Sequence, residues 1–176
     1  MAMYKDKYRV ETTRLPGWDY SSHGYYFVTI CTKGHVHYFG DIVGGEMTLS
    51  DVGRVACDCW AAIPAHFPFA VVDESVVMPN HVHGIVIIPP HERASQSGKF
   101  GSQSRNLGSI IRGYKVGVKK GAIERGLMFD WQPRFYEHVI RSGESLGKIR
   151  NYIVTNPQRW ETDEYNVGLR PLQRHL

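Results

Sequence analysis

Two histidines one residue apart, His81-Val82-His83, can present two ring nitrogens to one divalent cation. They do so if the segment is a strand, where residues i and i+2 project from the same face. Without a cation they are two polar residues on an alternating strand. The same spacing recurs at His35-Val36-His37, in a Gly-flanked stretch that reads as a turn and strand edge, and we take that pair as structural. Tyr152 and Asn156 stand four residues apart. On a helix such residues face the same way, about 6 Å apart at Cβ. A phenol and a carboxamide then look into one space, one a nucleophile and the other an oxygen ligand for a hard cation. The plainer reading is a packed tyrosine and an asparagine that ends a helix before Pro157. A third group, Trp131–Arg141 (WQPRFYEHVIR), interleaves aromatic rings with arginines. That mixture suits stacking on unpaired bases and holding phosphates, and equally suits a strand with a polar outer face. No Gly-rich phosphate loop, GxSxG elbow or zinc-finger spacing is present.

These residues need elements to carry them. Tyr25–Thr32 is rich in aromatic and β-branched residues and predicts a strand. Glu46–Thr48 predicts a short strand after the Gly44-Gly45 turn. Ser50 is a candidate N-cap for a helix over Asp51–His66, with Val52, Val55, Ala56, Trp60 and Ile63 at helical spacing and Pro64 and Pro68 marking its end. Val71–Met78 and His81–Ile88 predict two strands joined by the Pro79-Asn80 turn. Leu107–Lys120 predicts a helix weakened by Gly113 and Gly117, at roughly 1 kcal/mol each relative to Ala. Its apolar stripe holds Tyr114, a second candidate nucleophile by position. Phe135–Ile140 predicts a strand and Ser145–Thr155 a helix. The expected fold is α+β: a ferredoxin-like antiparallel sheet of four to five strands with helices packed on one face.

The chain has 176 residues, 42% of them hydrophobic and 22% charged, which is an ordinary globular composition. That length suits a single domain over 1–176, with a polar, flexible connection at 89–104. No apolar run approaches the roughly 18 residues that span a bilayer, and the first residues lack the apolar stretch of a signal peptide. The expected location is cytoplasmic. Cys31, Cys57 and Cys59 form no CxxC pair and are expected reduced and mostly buried. The net charge of +4 is unevenly placed: residues 91–160 hold 13 Lys and Arg against 5 Asp and Glu, while residues 1–90 hold 6 against 9. A basic stretch of this kind suits a polyanion partner or a solvated helix face.

The order of three segments is more specific than any one of them. Pro79-Asn80-His81-Val82-His83-Gly84-Ile85 is followed by Trp131-Gln132-Pro133-Arg134-Phe135-Tyr136-Glu137-His138, then by Tyr152-Ile153-Val154-Thr155-Asn156-Pro157. Over about residues 20–160 the chain resembles the single-tyrosine HUH (IS200-like) transposase superfamily, and within it the REP-associated tyrosine transposases. The resemblance implies Tyr152 as the catalytic nucleophile and His81, His83 and Asn156 as metal ligands. Many superfamily members have Gln where this chain has Asn156. It implies a substrate of single-stranded DNA bearing a hairpin, nicked and rejoined through a 5′-phosphotyrosine intermediate, in a nucleoid-associated setting. Monomers and homodimers both occur in such a superfamily. The alternative is a hairpin-binding protein that keeps the fold without turnover.

The implied chemistry has physical reasons. A divalent cation neutralises charge on a phosphodiester and aligns it for in-line displacement. Nitrogen and oxygen ligands together suit Mn²⁺ or Mg²⁺. No nucleotide cofactor is expected. Tyrosine has a pKa near 10, so roughly one part in a thousand is phenolate at pH 7. The phosphoester stays stored on the protein, which keeps the step reversible. Arg112, Lys115, Lys119, Lys120, Arg134 and Arg141 are the expected DNA-binding cations.

Overall fold

The computed structural model describes residues 16–90 and 105–167, and the backbone at 3–4 and 7–8. The expected 89–104 connection lies, from residue 91 onward, outside the described residues. A short hairpin of β1 (Met3–Tyr4) and β2 (Lys7–Tyr8) comes first. The main sheet is built from β3 (Gly24–Cys31), β6 (Val71–Val77), β7 (His81–Ile88) and β8 (Tyr136–Ile140). Its order is β6-β7-β3-β8, antiparallel throughout, so β7 and β3 are central. A separate hairpin pairs β4 (Gly40–Val43) with β5 (Glu46–Leu49). Gly44 and Gly45 form its turn, both at positive φ, as a two-residue hairpin loop of the right twist requires.

The helices are α1 (Asp51–Ala61), α2 (Ile63–His66), α3 (Leu107–Glu124) and α4 (Gly143–Thr155). Ser50 caps α1 as expected, its Oγ accepting from the Gly53 N–H at 3.0 Å. The single helix expected over Asp51–His66 is interrupted at Ala62, because Pro64 cannot donate to the ladder that would continue α1. α3 runs one turn further than its stripe suggested and starts at an Asn106/Ser109 capping box. Ser142 caps α4, which therefore begins at Gly143 rather than Ser145.

The four-stranded α+β architecture is as expected, but the helices occupy both faces of the sheet rather than one. Tyr26, Val28 and Ile30 of β3 and Val82, Val86 and Ile88 of β7 join α1 and α3 in the large core. The alternate residues, Phe27, Ile85 and Ile87, meet Leu146, Ile149, Tyr152 and Ile153 of α4 in a smaller cluster. Burial on both sides explains why β7 reads as a nearly continuous apolar run after its histidines. Gly113 has a packing reason: a Cβ there would stand 2.5 Å from the Phe67 ring. Tyr114 belongs to the large core. Its hydroxyl donates to the Ala56 carbonyl at 3.2 Å and its ring packs edge-on to Trp60. Of the free cysteines, Cys31 is buried, Cys59 half-buried and Cys57 exposed. No described helix is long and apolar enough to cross a membrane.

Candidate active site and metal centre

β7 projects His81 and His83 to the α4 side, with Val82 between them in the large core. Both rings are fully buried, and their Nε2 atoms lie 3.0 Å apart. Each outer nitrogen has a partner. His81 Nδ1 is 2.9 Å from Asn80 Oδ1, and His83 Nδ1 is 2.9 Å from Thr29 Oγ1 on the neighbouring strand. Burial holds both imidazoles neutral: His83 is lowered to about 3 and His81 well below the ordinary value, with His83 and the nearby His35 and His37 adding to the effect.

α4 delivers Tyr152 to this pair. Leu146, Ile149 and Ile153 press the helix onto the sheet, and Tyr152 comes from the same stripe. Its hydroxyl lies 3.2 Å from His83 Nε2, and its ring packs against His83 and Phe27. Burial raises the phenol above its usual pKa, Asp163 and Glu164 raise it further, and a hydrogen bond from Asn156 offsets part of the rise. The phenol is therefore protonated at neutral pH.

Asn156 keeps helical angles and leads into a 3-10 turn, Pro157–Thr162. That turn brings Asp163 back to the histidines, a placement that no spacing in the sequence announces. One ligand atom each from His81, His83 and Asp163 lie within 4.8 Å of one another, so this group could hold a metal ion. Asn156 Nδ2 donates to Asp163 Oδ2 at 3.1 Å. Its Oδ1 is buried with no hydrogen-bond partner among the described residues. Two neutral imidazoles, a carboxylate and an unsatisfied amide oxygen are the mixed donor set that a hard or borderline divalent cation takes. The residues present fit the group. Tyr165 closes the site from the same segment, its ring 4.7 Å from that of His81. His35 and His37 stay outside the cluster and pack against Tyr165 and Trp160.

The six expected DNA-binding cations do not form one lane. Arg112, Lys115, Lys119 and Lys120 are on α3, across the sheet from the histidines. Lys115 donates to the carbonyls of Gln132 and Arg134 at 2.6 and 2.9 Å, and Lys119 pairs with Asp130 at 2.9 Å. Lys120 lies 3.8 Å from Glu124, and Arg112 is exposed. Arg134 and Arg141 are exposed at the two ends of β8. Between them Tyr136 shares the face of Phe27, their ring centroids 6.4 Å apart.

No protein-family model matches the chain. An uncharacterised protein of Haemophilus influenzae is 41% identical over 165 residues, covering 88% of this chain and 91% of that one. A second protein of that organism, assigned as a REP-associated tyrosine transposase, is 27% identical over 143 residues, covering 79% and 73%. By sequence the chain is similar to the REP-associated tyrosine transposases of the IS200-like superfamily. The chain also shares its fold with a solved REP-associated tyrosine transposase bound to a REP hairpin. The TM-score is 0.55 at 21% identity, over 89% of this chain and 73% of that one.

Proposed function

We propose that this chain nicks single-stranded DNA at hairpin-bearing sequences and rejoins it by transesterification. The observation that carries the reading is the Tyr152 hydroxyl lying 3.2 Å from His83 Nε2, beside the one His-His-Asp group among the described residues, its histidines buried and Asp163 half-buried. Tyr152 Oη attacks the phosphorus and the bond to the 3′ oxygen breaks. The phenolic proton ends on that leaving oxygen. The products are a 5′-phosphotyrosine and a free 3′-hydroxyl, and attack by a 3′-hydroxyl reverses the step. α4 and the Phe27 ring orient Tyr152 for this attack, and Asn156 donates a hydrogen bond that favours its phenolate. His81, His83 and Asp163, with Asn156 Oδ1, would hold Mn²⁺ or Mg²⁺. That ion, when bound, supplies positive charge against the phosphate oxygens. No nucleotide cofactor enters, because the energy of the broken phosphodiester is kept in the new one.

The DNA-side contacts proposed are those at the β8 edge, Arg134 and Arg141 with the exposed ring of Tyr136 between them. A strand entering there reaches Tyr152 past Phe27. The presence of a hairpin-bound relative with this fold supports a hairpin substrate.

The test is a covalent adduct. Protein and labelled single-stranded hairpin DNA with Mn²⁺ should give a protein–DNA band that resists denaturation. The band should vanish in Tyr152→Phe and on chelation of the metal. Tight binding with no adduct under any metal would support the hairpin-binding alternative, and cleavage surviving Tyr152→Phe would sink the phosphotyrosine route.

A further inference from the structure

Asn80 is fully buried, and every polar atom of its side chain is used. Its Nδ2 donates to the carbonyls of Tyr165 at 2.8 Å and His35 at 3.2 Å. Carbonyls only accept, so the orientation of the amide is fixed by its partners. The atom facing His81 Nδ1 is therefore the acceptor Oδ1. The proton of a neutral His81 must sit on Nδ1, which leaves Nε2 as a bare lone pair. The main chain of Asn80 is held too, its carbonyl accepting from Thr32 N at 2.9 Å and Thr32 Oγ1 at 3.0 Å.

Thr29 does the opposite for His83. A hydroxyl both donates and accepts, so Thr29 Oγ1 serves either tautomer of the ring. With the proton on His83 Nε2, that N–H points at the bare His81 Nε2, 3.0 Å away, and Thr29 donates to Nδ1. With the proton on Nδ1, Thr29 accepts it, and both Nε2 lone pairs face the same space. In that tautomer the Tyr152 hydroxyl, 3.2 Å from His83 Nε2, can donate to it, but the two Nε2 lone pairs still face each other at 3.0 Å and are best reconciled by a cation between them.

We infer that Asn80 and Thr29 are positioning residues for the cation site: Asn80 locks His81 as a permanent lone-pair donor, and Thr29 lets His83 move its proton from Nε2 to Nδ1 as the cation enters. This rests on the metal-dependent reading above and extends it. Uptake then needs no net loss of a proton from the pair. The His83–His81 contact of the metal-free pair gives way to one that presents both lone pairs.

Two measurements test this in the intact protein. Nitrogen-15 spectra of the metal-free protein should show His81 protonated at Nδ1. A proton on His81 Nε2 would overturn the Asn80 assignment, and this result stands whether or not the protein takes up a metal. Mn²⁺ binding by calorimetry is the second. The near-isosteric Thr29→Val should weaken Mn²⁺ binding by roughly 10–100-fold, as loss of an outer partner of a metal-bound histidine does. Thr29→Ser, which keeps the hydroxyl, should bind within a few-fold of the parent, and melting temperatures should distinguish this from misfolding. Equal affinity of a folded Thr29→Val and its parent would overturn the Thr29 role while leaving metal dependence intact. A parent protein that takes up no Mn²⁺ would overturn metal dependence and the Thr29 role together.

Discussion

Gly84 lies directly against the Trp60 ring, where a Cβ would fall 2.2 Å from Cζ2. The residue that follows the second histidine is thus where the Trp60 ring of α1 presses on the sheet, on the face away from the histidines. Trp60 is buried in the large core and its neighbour Tyr114 backs it, so the ring has nowhere to retreat.

Gly84→Ala should therefore destabilise the fold by about 1–3 kcal/mol, the usual cost of overpacking. Denaturant titration would measure it. An unchanged midpoint would show that Trp60 yields. The shift should also disturb His83, so Mn²⁺ affinity should fall along with stability.

Tyr114→Phe should keep both fold and adduct formation. It removes one hydroxyl bonded to the Ala56 carbonyl, worth about 0.5–1.5 kcal/mol. Loss of the covalent DNA band in this variant, with Tyr152→Phe still active, would reverse the assignment of the nucleophile.

Asp163→Asn isolates the carboxylate. The substituted amide oxygen can still accept from the Tyr165 N–H, which Asp163 Oδ1 now does at 2.7 Å, while its NH2 replaces the oxygen that accepts from Asn156 Nδ2 at 3.1 Å, so melting temperatures should be read beside the affinity. Mn²⁺ affinity should fall at least about tenfold, the scale on which metal sites respond to their supporting groups. Calorimetry that finds no change would leave Asn156 Oδ1 as the oxygen donor.

Asp130 gives a pH signature away from the site. Hydrogen bonds from Lys119 and Lys33 lower its carboxyl from 3.8 to about 2. A carboxylate with a depressed folded-state pKa contributes stability that is fully present above its unfolded value. That stability is lost as pH falls through the folded one. The contribution should thus be complete above about pH 4 and fade toward pH 2. Carbon-13 NMR of the carboxyl should show the low pKa, and Lys119→Met or 1 M salt should raise it, because the pair is exposed and screened. A carboxyl that titrates at its ordinary value would remove this contribution.

Much of the site was legible because periodicity acts locally. The strand His81–Ile88 is as expected to the residue, and the i, i+4 relation of Tyr152 and Asn156 survives in α4. Asp163 was not legible, since only the path of the turn after Pro157 returns it to the histidines. Thr29 was hidden for a related reason: its tie to His83 depends on the register of β3 with β7, which neither strand specifies alone. The basic stretch misled in part. Charge count does not record that α3 packs on the far side of the sheet, or that Asp130 and two backbone carbonyls occupy Lys119 and Lys115. The break at Ala62 turned on one proline inside an otherwise helical pattern.

The division of the sheet into a large core on one side and reactive groups on the other has a consequence for substitution. Val82 and Val86 hold the body of the protein together, while His81 and His83, on the same strand, face away from it. Single substitutions at the proposed nucleophile or ligands would therefore leave the packing of the large core untouched. Fold and proposed chemistry are thus separable here, and only the residues on the histidine face distinguish a chain able to act from one that merely folds.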